Sequence, residues 1–236
     1  NLFQSFRQQD YLPKTAEWTQ LFDYIVSEVV VGGERLRTYW YVIKTMDFYP
    51  YHLPNITRPE TAEITKQKLK RILSSHDPYR DELANLQGED CDKRMIEIVK
   101  GLEELEASKK ERFYGWLEIQ DGIASRHKAI EFRRAGAMNC NLFTNQLGRE
   151  KAVDVKLATD MITLSDIYDV AIIVSGDQDY VPVVEVLKDC GKRVVNVAFK
   201  NRGGQLLPGG ARRLNQVTDW SFEIPYDTLS QYLKIN

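Results

Sequence analysis

Cysteine is scarce in this chain, and long hydrophobic runs are absent. The three cysteines, Cys91, Cys140 and Cys190, stand far apart, and no two of them form a C-x-x-C pair. This odd, scattered set argues against a disulfide framework or a zinc site and favours a reducing compartment. No stretch approaches the roughly 18 apolar residues of a membrane-spanning helix, and no signal-peptide pattern is found. We therefore expect a cytoplasmic protein with no membrane partner.

A strong excess of either charge is also lacking. The formal net charge is −2 over 236 residues, so the chain as a whole offers no attraction for a polyanion. A locally basic groove remains compatible with this balance. Hydrophobic residues make up 43% of the chain, which is enough for a sizeable core. The composition does not indicate an oligomeric state.

The first half of the chain predicts a helix, a strand and a charge-rich helical segment. The sequence AEWTQLFDYIVSEVV carries an apolar stripe at helical spacing, and RLRTYWYVIKTM is rich in β-branched and aromatic residues, as buried strands are. Residues 54–112 have helical periodicity with many charges on one face, and we interpret them as a helical insertion. Those charges are typical of a solvated helix face, although the segment could also provide a platform for a protein partner.

The last hundred residues predict alternating helices and strands. EKAVDVKLATDMITLSDI is expected to form a helix, YDVAIIVSGD a buried strand, YVPVVEVLKDCG a helix that stops at Gly191, and KRVVNVAF another strand. DWSFEIPYDTLSQYL predicts a short strand and a terminal helix. This spacing is typical of βαβ units, so we expect an α/β fold with a mainly parallel sheet flanked by helices.

An acidic constellation follows the most apolar strand. The sequence VAIIVSGDQDY brings Asp177 and Asp179 to the carboxyl edge of the predicted sheet, where α/β proteins bind their ligands. Asp154, near the start of the preceding helix, could join them. Carboxylates are the ligands that Mg²⁺ and Mn²⁺ prefer, so a divalent-metal site is one interpretation. The other is structural, with Asp179 as a helix N-cap and Asp177 stabilising a turn.

These motifs, taken in order, resemble a known family. KAVDVKLATDM, SGDQDYVPVVEVL and GKRVVNVAF are similar to the signature of the NYN domain, and in particular of its LabA-like (DUF88) branch. The likeness is strong over about 130–222, weak over 1–50 and absent from the helical insertion. It implies one PIN-like domain over 1–236, with 54–112 inserted, and metal-dependent cleavage of RNA with Mg²⁺ or Mn²⁺ as cofactor.

The resemblance also implies roles for individual residues. It makes Asp154, Asp177 and Asp179 the catalytic, metal-binding acids, with support from Asn1, Asp160 and Ser175. A further acid is expected three residues before Asn1, upstream of the sequence given. Asp160 lies six residues after Asp154, about 240° around a helix, so the two do not share a face. We therefore expect a supporting role for Asp160.

An RNA substrate requires cations near its phosphates. The candidates are Arg149, Lys151, Lys200, Arg202, Arg212 and Arg213, with Arg126, Lys128, Arg133 and Arg134 as further ones. The glycine-rich, basic stretch KNRGGQLLPGGARR could approach phosphates or form a plain surface loop. Tyr180 could stack on a base, but core packing is its more common role. The rival function is a non-catalytic NYN module that binds RNA or a protein partner, and a neutral residue three positions before Asn1 would favour it.

Overall fold

The computed structural model describes residues 14–56, 63–77, 79–207 and 212–234. The predicted supporting residue Asn1 therefore lies outside the described residues. The described residues form, in chain order, α1 (Trp18–Val29), β1 (Thr38–Tyr49), α2 (Glu63–Leu73), α3 (Tyr79–Ala84), α4 (Gly88–Arg126), β2 (Ile130–Asn141), β3 (Gln146–Lys151), α5 (Val153–Thr163), β4 (Val170–Ile173), α6 (Val181–Asp189), β5 (Arg193–Lys200), β6 (Leu206–Leu207), α7 (Arg212–Val217), β7 (Trp220–Ile224) and α8 (Tyr226–Leu233).

The chain divides into two compact units. The first unit consists of the described residues within 1–42, 118–135 and 152–236, and the second unit of those within 43–117 and 136–151. The single domain expected over 1–236 stays a prediction. No helix in the described part of the chain is both long and apolar enough to cross a membrane.

The first unit contains a sheet centred on β5. Strands β4 and β7 both pair with β5 in parallel, which confirms the parallel arrangement predicted for this part of the chain. Strand β6 pairs antiparallel with the end of β5, at Phe199 and Lys200. Because β7 already pairs with Phe199 on the other edge, β6 must lie on the β4 edge, beyond the point where β4 ends. The glycine-rich loop therefore returns along the carboxyl end of the sheet.

A second sheet makes the fold less parallel than predicted. Its strands are ordered β1, β2, β3, and β2 pairs antiparallel with β3. The prediction of one mainly parallel sheet is therefore wrong in this respect. A hairpin needs only a short turn, and LFTN between β2 and β3 is such a turn, which the sequence interpretation missed.

Apolar periodicity explains how α1 and β5 form the core of the first unit. The apolar stripe of α1 is buried, with Trp18 and Leu21 fully covered. Residues 194–199 of β5 are buried on both faces, as expected of a central parallel strand. Truncating a fully buried leucine such as Leu21 typically costs about 2–5 kcal/mol, so this stripe is a main support of the unit.

Helix α6 ends as predicted. Gly191 has a φ of 75°, a left-handed conformation that glycine adopts without steric penalty. The Gly191 N–H donates to the Lys188 carbonyl and the Lys192 N–H to the Leu187 carbonyl, both at 2.9 Å. This pair of bonds is the Schellman motif, and it directs the chain into β5.

The start of α5 differs from the prediction. Glu150 and Lys151, expected in the helix, belong to β3, and Ala152 separates the two elements with a φ of 69°. No side chain caps α5, so neither a glycine nor an N-cap residue marks this boundary in the sequence. The helix consequently starts at Val153, and Asp154 lies in its first turn.

The second unit has an apolar cluster of its own. It is formed by residues such as Leu69, Leu73, Leu83, Met95 and Leu102, all at most 4% exposed. Residues 54–112, predicted as a helical insertion, contain α2, α3 and the beginning of α4, which confirms their helical character. Helix α4 continues beyond this segment to Arg126 without interruption, and the bounds of the insertion stay a prediction.

Candidate functional site

The turn after β4 is organised by Asp177. The Ser175 hydroxyl accepts a hydrogen bond from the Asp177 N–H at 3.0 Å, and Asp177 Oδ1 accepts one from the Asp179 N–H at 2.9 Å. Asp177 thereby caps a short 3₁₀ helix over Gln178–Tyr180. The structural interpretation of Asp177 as a turn residue is confirmed, whereas Asp179 does not cap α6, whose N-cap residue is Tyr180. Asp177 and Asp179 are both exposed.

Asn196 holds this turn from the central strand. Its side-chain oxygen accepts a hydrogen bond from the Ser175 N–H at 3.4 Å, and its amide donates to the Asn215 side chain at 2.6 Å. Asn196 is 1% exposed. A buried amide in an otherwise apolar strand is costly unless it is hydrogen-bonded. The sequence interpretation missed this residue, although a lone polar residue within VVNVAF was the available signal.

Asp154 is joined to the same turn by Tyr180. The Tyr180 hydroxyl donates to Asp154 Oδ1 at 2.6 Å, so the first turn of α5 meets the 3₁₀ helix that follows Asp177. Tyr180 is 3% exposed, which agrees with core packing and leaves no ring face for a base. Asp154 itself is half-buried. The structure therefore brings Asp154 next to the turn that carries Asp177 and Asp179.

Asp160 is engaged in a different set of contacts. It is 3% exposed and accepts hydrogen bonds from Tyr41 at 3.1 Å, Arg133 at 2.7 Å and Lys156 at 2.6 Å. Burial raises the pKa of Asp160, but the hydrogen bonds from Lys156, Arg133 and Tyr41 outweigh it and hold the pKa below its usual value. Burial and the Asp160 charge raise the pKa of Tyr41. With both of its oxygens already accepting, Asp160 fits a supporting role.

Several of the candidate cations have partners within the chain. Arg133 also lies over the Tyr39 ring at 4.1 Å, and Arg134 pairs with Asp121 at 2.5 Å. Arg126 donates to backbone carbonyls, including that of Lys14, whereas Lys128 is exposed.

The remaining candidates fall into two groups. Lys200 pairs with Glu223 at 2.7 Å, and Arg202 donates to the Tyr226 hydroxyl at 3.2 Å while lying over its ring. The other four are exposed and have no ion pair with any described residue. They are Arg149 and Lys151 on β3, and Arg212 and Arg213 at the start of α7.

The acids at this turn have oxygens available for a hard cation. Asp154 and Asp177 each use Oδ1 for the bonds described, and the described residues give neither Oδ2 a partner. Across those residues, no three histidine, cysteine or carboxylate side chains converge to hold a metal ion. Mg²⁺ keeps several waters and needs only one or two carboxylates. Asp154 and Asp177 are therefore the residues at this turn that could hold such an ion.

Comparison with known proteins identifies the family. The model of the NYN domain matches residues 85–208, more than half of the chain. The match includes Asp154, Asp160, Asp177 and Asp179 and begins within the segment predicted as an insertion, so the expectation of no likeness there is wrong. Comparisons with curated proteins and with solved structures gave no match. NYN domains are a PIN-like nuclease family that generally hydrolyses RNA. This chain belongs to the NYN domain family.

Proposed function

We propose that this chain is a metal-dependent ribonuclease of the LabA-like branch, with Asp154, Asp177 and Asp179 as its acidic centre and Mg²⁺ or Mn²⁺ as cofactor. The observation that carries the proposal is the hydrogen bond between Tyr180 and Asp154, which joins the acid of α5 to the turn with the other two acids. Within an NYN domain, these are carboxylates suited to phosphodiester hydrolysis.

Each residue of the centre has a separate task. The Tyr180 hydroxyl fixes the orientation of Asp154, leaving Oδ2 for a metal ion. Asp177 shapes the turn with Oδ1 and offers its second oxygen, and the exposed Asp179 carboxylate orients a water molecule. A divalent ion bound here supplies an activated water and stabilises the leaving oxygen. Asp160 keeps α5 in place through Arg133 and Tyr41.

RNA is the proposed partner, and its phosphates need compensation for this concentration of negative charge. We assign that role first to Arg149, Lys151, Arg212 and Arg213, since all four are exposed and have no ion pair among the described residues. Lys200 and Arg202 would first have to give up Glu223 and Tyr226. The phosphate contacts determine affinity, while the acidic turn performs the reaction.

Asp177→Asn is the direct test of this centre. The amide oxygen of asparagine can still accept from the Asp179 N–H, and asparagine is as good a cap as aspartate, so the fold should persist. We expect Mn²⁺- or Mg²⁺-dependent cleavage of single-stranded RNA to fall by at least about 100-fold. Asp166→Asn is the matched control, because Asp166 is exposed and has no ion pair with described residues. Circular dichroism and thermal unfolding establish that both variants are folded.

Two results would contradict the proposal. Undiminished cleavage by a folded Asp177→Asn variant would remove Asp177 from the centre. A wild-type protein that binds RNA but cleaves none with either metal would instead be the non-catalytic NYN module, the rival function. Measuring RNA cleavage by the wild type and by Asp177→Asn over a range of metal concentrations separates these two outcomes. A catalytic centre that uses Asp177 gives metal-dependent cleavage in the wild type only.

A further inference from the structure

The second unit contains a cavity that the acidic turn does not use. It is an open cavity of about 390 Å³, within the range of small-ligand sites, and combines aromatic rings, amides and a carboxylate. The residues that matter to the argument are Asp47, Tyr49, Tyr51, Asn139, Asn141 and Gly148. They come from the end of β1, the residues just after it, and the hairpin formed by β2 and β3.

Two tyrosines form an aromatic corner in this cavity. Tyr51 is 76% exposed and Tyr49 is 42% exposed, and their rings stand nearly perpendicular, at 88°, with centroids 6.3 Å apart. A flat ligand stacked on Tyr51 would therefore meet Tyr49 in an edge-to-face arrangement, which is favourable for aromatic rings. Tyr49 is itself supported by the rings of His76 at 5.8 Å and Phe143 at 6.1 Å.

The hairpin side of the cavity is fixed before any ligand arrives. Asn141 Oδ1 accepts hydrogen bonds from the N–H groups of Phe143 at 2.9 Å and Thr144 at 3.3 Å. The Leu142 N–H donates to the Tyr49 carbonyl at 2.9 Å, which ties the end of β1 to the end of β2. A side chain at Gly148 would come within 3.3 Å of the Asn139 carbonyl, so glycine allows the strands to approach closely.

The charge of the cavity indicates what its ligand carries. Asp47 is the one charged residue among the described residues that line it, and it has no ion pair within the described chain. Without a cation the cavity repels a phosphate group. A carboxylate accepts hydrogen bonds and donates none, so it favours a flat ring whose edge carries N–H donors. Asn139 also lines the cavity, and its side-chain amide can both donate and accept.

We propose that this cavity binds a nucleobase of single-stranded RNA, with a preference for guanine. The proposal rests on the proposed function, because it makes the cavity a specificity subsite for that substrate. Guanine presents two adjacent donors, N1–H and the N2 amino group, which match the two oxygens of the Asp47 carboxylate. The Watson–Crick edges of adenine, cytosine and uracil each present one donor group. Stacking on Tyr51 provides affinity for any base, and hydrogen bonds to Asp47 provide the selectivity for guanine.

The test measures binding by the full chain without metal, so that cleavage does not interfere. Fluorescence anisotropy in EDTA compares oligouridine strands that carry one central guanosine, adenosine or cytidine. We expect the guanosine strand to bind most tightly and Tyr51→Ala to weaken its binding about tenfold. Tyr51→Phe keeps the ring and should bind like the wild type. Tyr114→Ala, which removes a 58% exposed tyrosine of α4 outside the cavity, is the matched control and should have no effect.

Asp47→Asn tests the choice of base separately. Asparagine replaces one acceptor with a donor, so the preference for guanosine over adenosine should disappear while the strands still bind through Tyr51. Competition with free guanosine monophosphate distinguishes the two sources of a base. The contrary result is displacement of the strands by the mononucleotide while the guanosine, adenosine and cytidine strands all bind equally tightly. That result would mean that the cavity binds free nucleotides, and it would overturn the proposal.

The proposed base site and the proposed nuclease centre are tested by different measurements, binding for the first and cleavage for the second. If Asp177→Asn abolishes cleavage but Tyr51→Ala and Tyr114→Ala bind the guanosine strand equally, the nuclease assignment stands and the base site is refuted. If cleavage never depends on Asp177 but Tyr51→Ala weakens binding of that strand, the base site stands without the nuclease assignment. Because Tyr51 is 76% exposed, its replacement leaves the fold intact and the comparison valid.

Discussion

Asp160 illustrates what the surroundings of one carboxylate reveal about its role. Its side chain is almost fully buried, and a charge in that position is tolerated only when it is paired and hydrogen-bonded. Tyr41, Arg133 and Lys156 together satisfy both oxygens. Asp154 and Asp177, by contrast, each keep one oxygen without a described partner. This difference separates an acid with both oxygens bonded from acids that keep one oxygen available, as the proposed function requires.

Removing the Asp160 carboxylate should therefore reduce stability. Asp160→Ala leaves Arg133, which is mostly covered, without its buried partner, and we expect a loss of about 3 kcal/mol in the free energy of unfolding. Urea denaturation measures it. Asp166→Ala removes an exposed aspartate from the 3₁₀ helix that follows α5 and should change stability very little. Equal losses in the two variants would mean that the contacts of Asp160 contribute nothing.

The same residue should make stability depend on pH. Its folded-state pKa lies below the usual value of 3.8, so its stabilisation is fully present above the unfolded-state pKa. That stabilisation is lost as pH falls through the lower, folded-state pKa. The stability difference between wild type and Asp160→Asn should accordingly be largest near neutral pH and shrink under acid. A difference that stays constant from neutral to acidic pH would contradict this linkage.

At the scale of elements, one hydroxyl connects α5 to the acidic turn. Tyr180→Phe keeps the buried ring but removes the hydrogen bond to Asp154, which should cost about 1 kcal/mol of stability. If Tyr180 positions Asp154 for catalysis, kcat should fall while the KM for RNA stays the same. Tyr168→Phe is the matched control, because its hydroxyl also donates a hydrogen bond, to the Met161 carbonyl.

The two tyrosines separate positioning from stability. Both variants lose one buried or half-buried hydroxyl contact and should lose comparable stability. Only Tyr180→Phe should lower kcat, since only Tyr180 contacts an acid of the proposed centre. A common drop in kcat for both variants would assign the effect to the fold and remove Tyr180 from the positioning role.

Elements with strong periodicity could be predicted from the sequence. The stripe of α1, the apolar runs of β4 and β5, and Gly191 at the end of α6 each depend on local chemistry that a short segment specifies by itself. The neighbourhood of Asp177 and Asp179 followed from the same reasoning, because the end of an apolar parallel strand defines the sheet edge.

Features that depend on distant partners could not be predicted. Asp160 meets Tyr41 and Arg133, which are far away in the sequence and follow no periodicity with it. Ala152 adopts a left-handed conformation without glycine or asparagine to mark it. The hydrogen bond between Asn196 and Ser175 likewise joins β5 to the turn after β4, which only the folded sheet brings together. The prediction that Asp154 and Asp160 lie on different faces of one helix agrees with their contacts. Asp154 accepts from Tyr180, whereas Asp160 accepts from Arg133 and Lys156.

For the whole molecule, charge determines how an RNA could approach. The formal net charge of −2 gives no overall attraction for a polyanion, so binding depends on local cations. Lys200 is paired with Glu223, and Arg202 is held by Tyr226. Arg212 and Arg213 are exposed and unpaired among the described residues, next to the loop that returns along the carboxyl end of the sheet. Under the proposed function, we therefore expect these two arginines to meet phosphates.

Replacing Arg212 and Arg213 together with alanine should weaken RNA binding measured in EDTA. Each phosphate contact releases counterions, so the slope of log K against log salt should become shallower by about 0.7 per lost contact on a single strand. Lys68→Ala with Arg71→Ala is the matched control, because it removes the same two charges from exposed positions of α2. An equal change of slope in both double variants would show that net charge, and not contact by these arginines, governs binding. A change confined to Arg212 and Arg213 would place the RNA path along the start of α7, while metal binding should be unchanged because no carboxylate is altered.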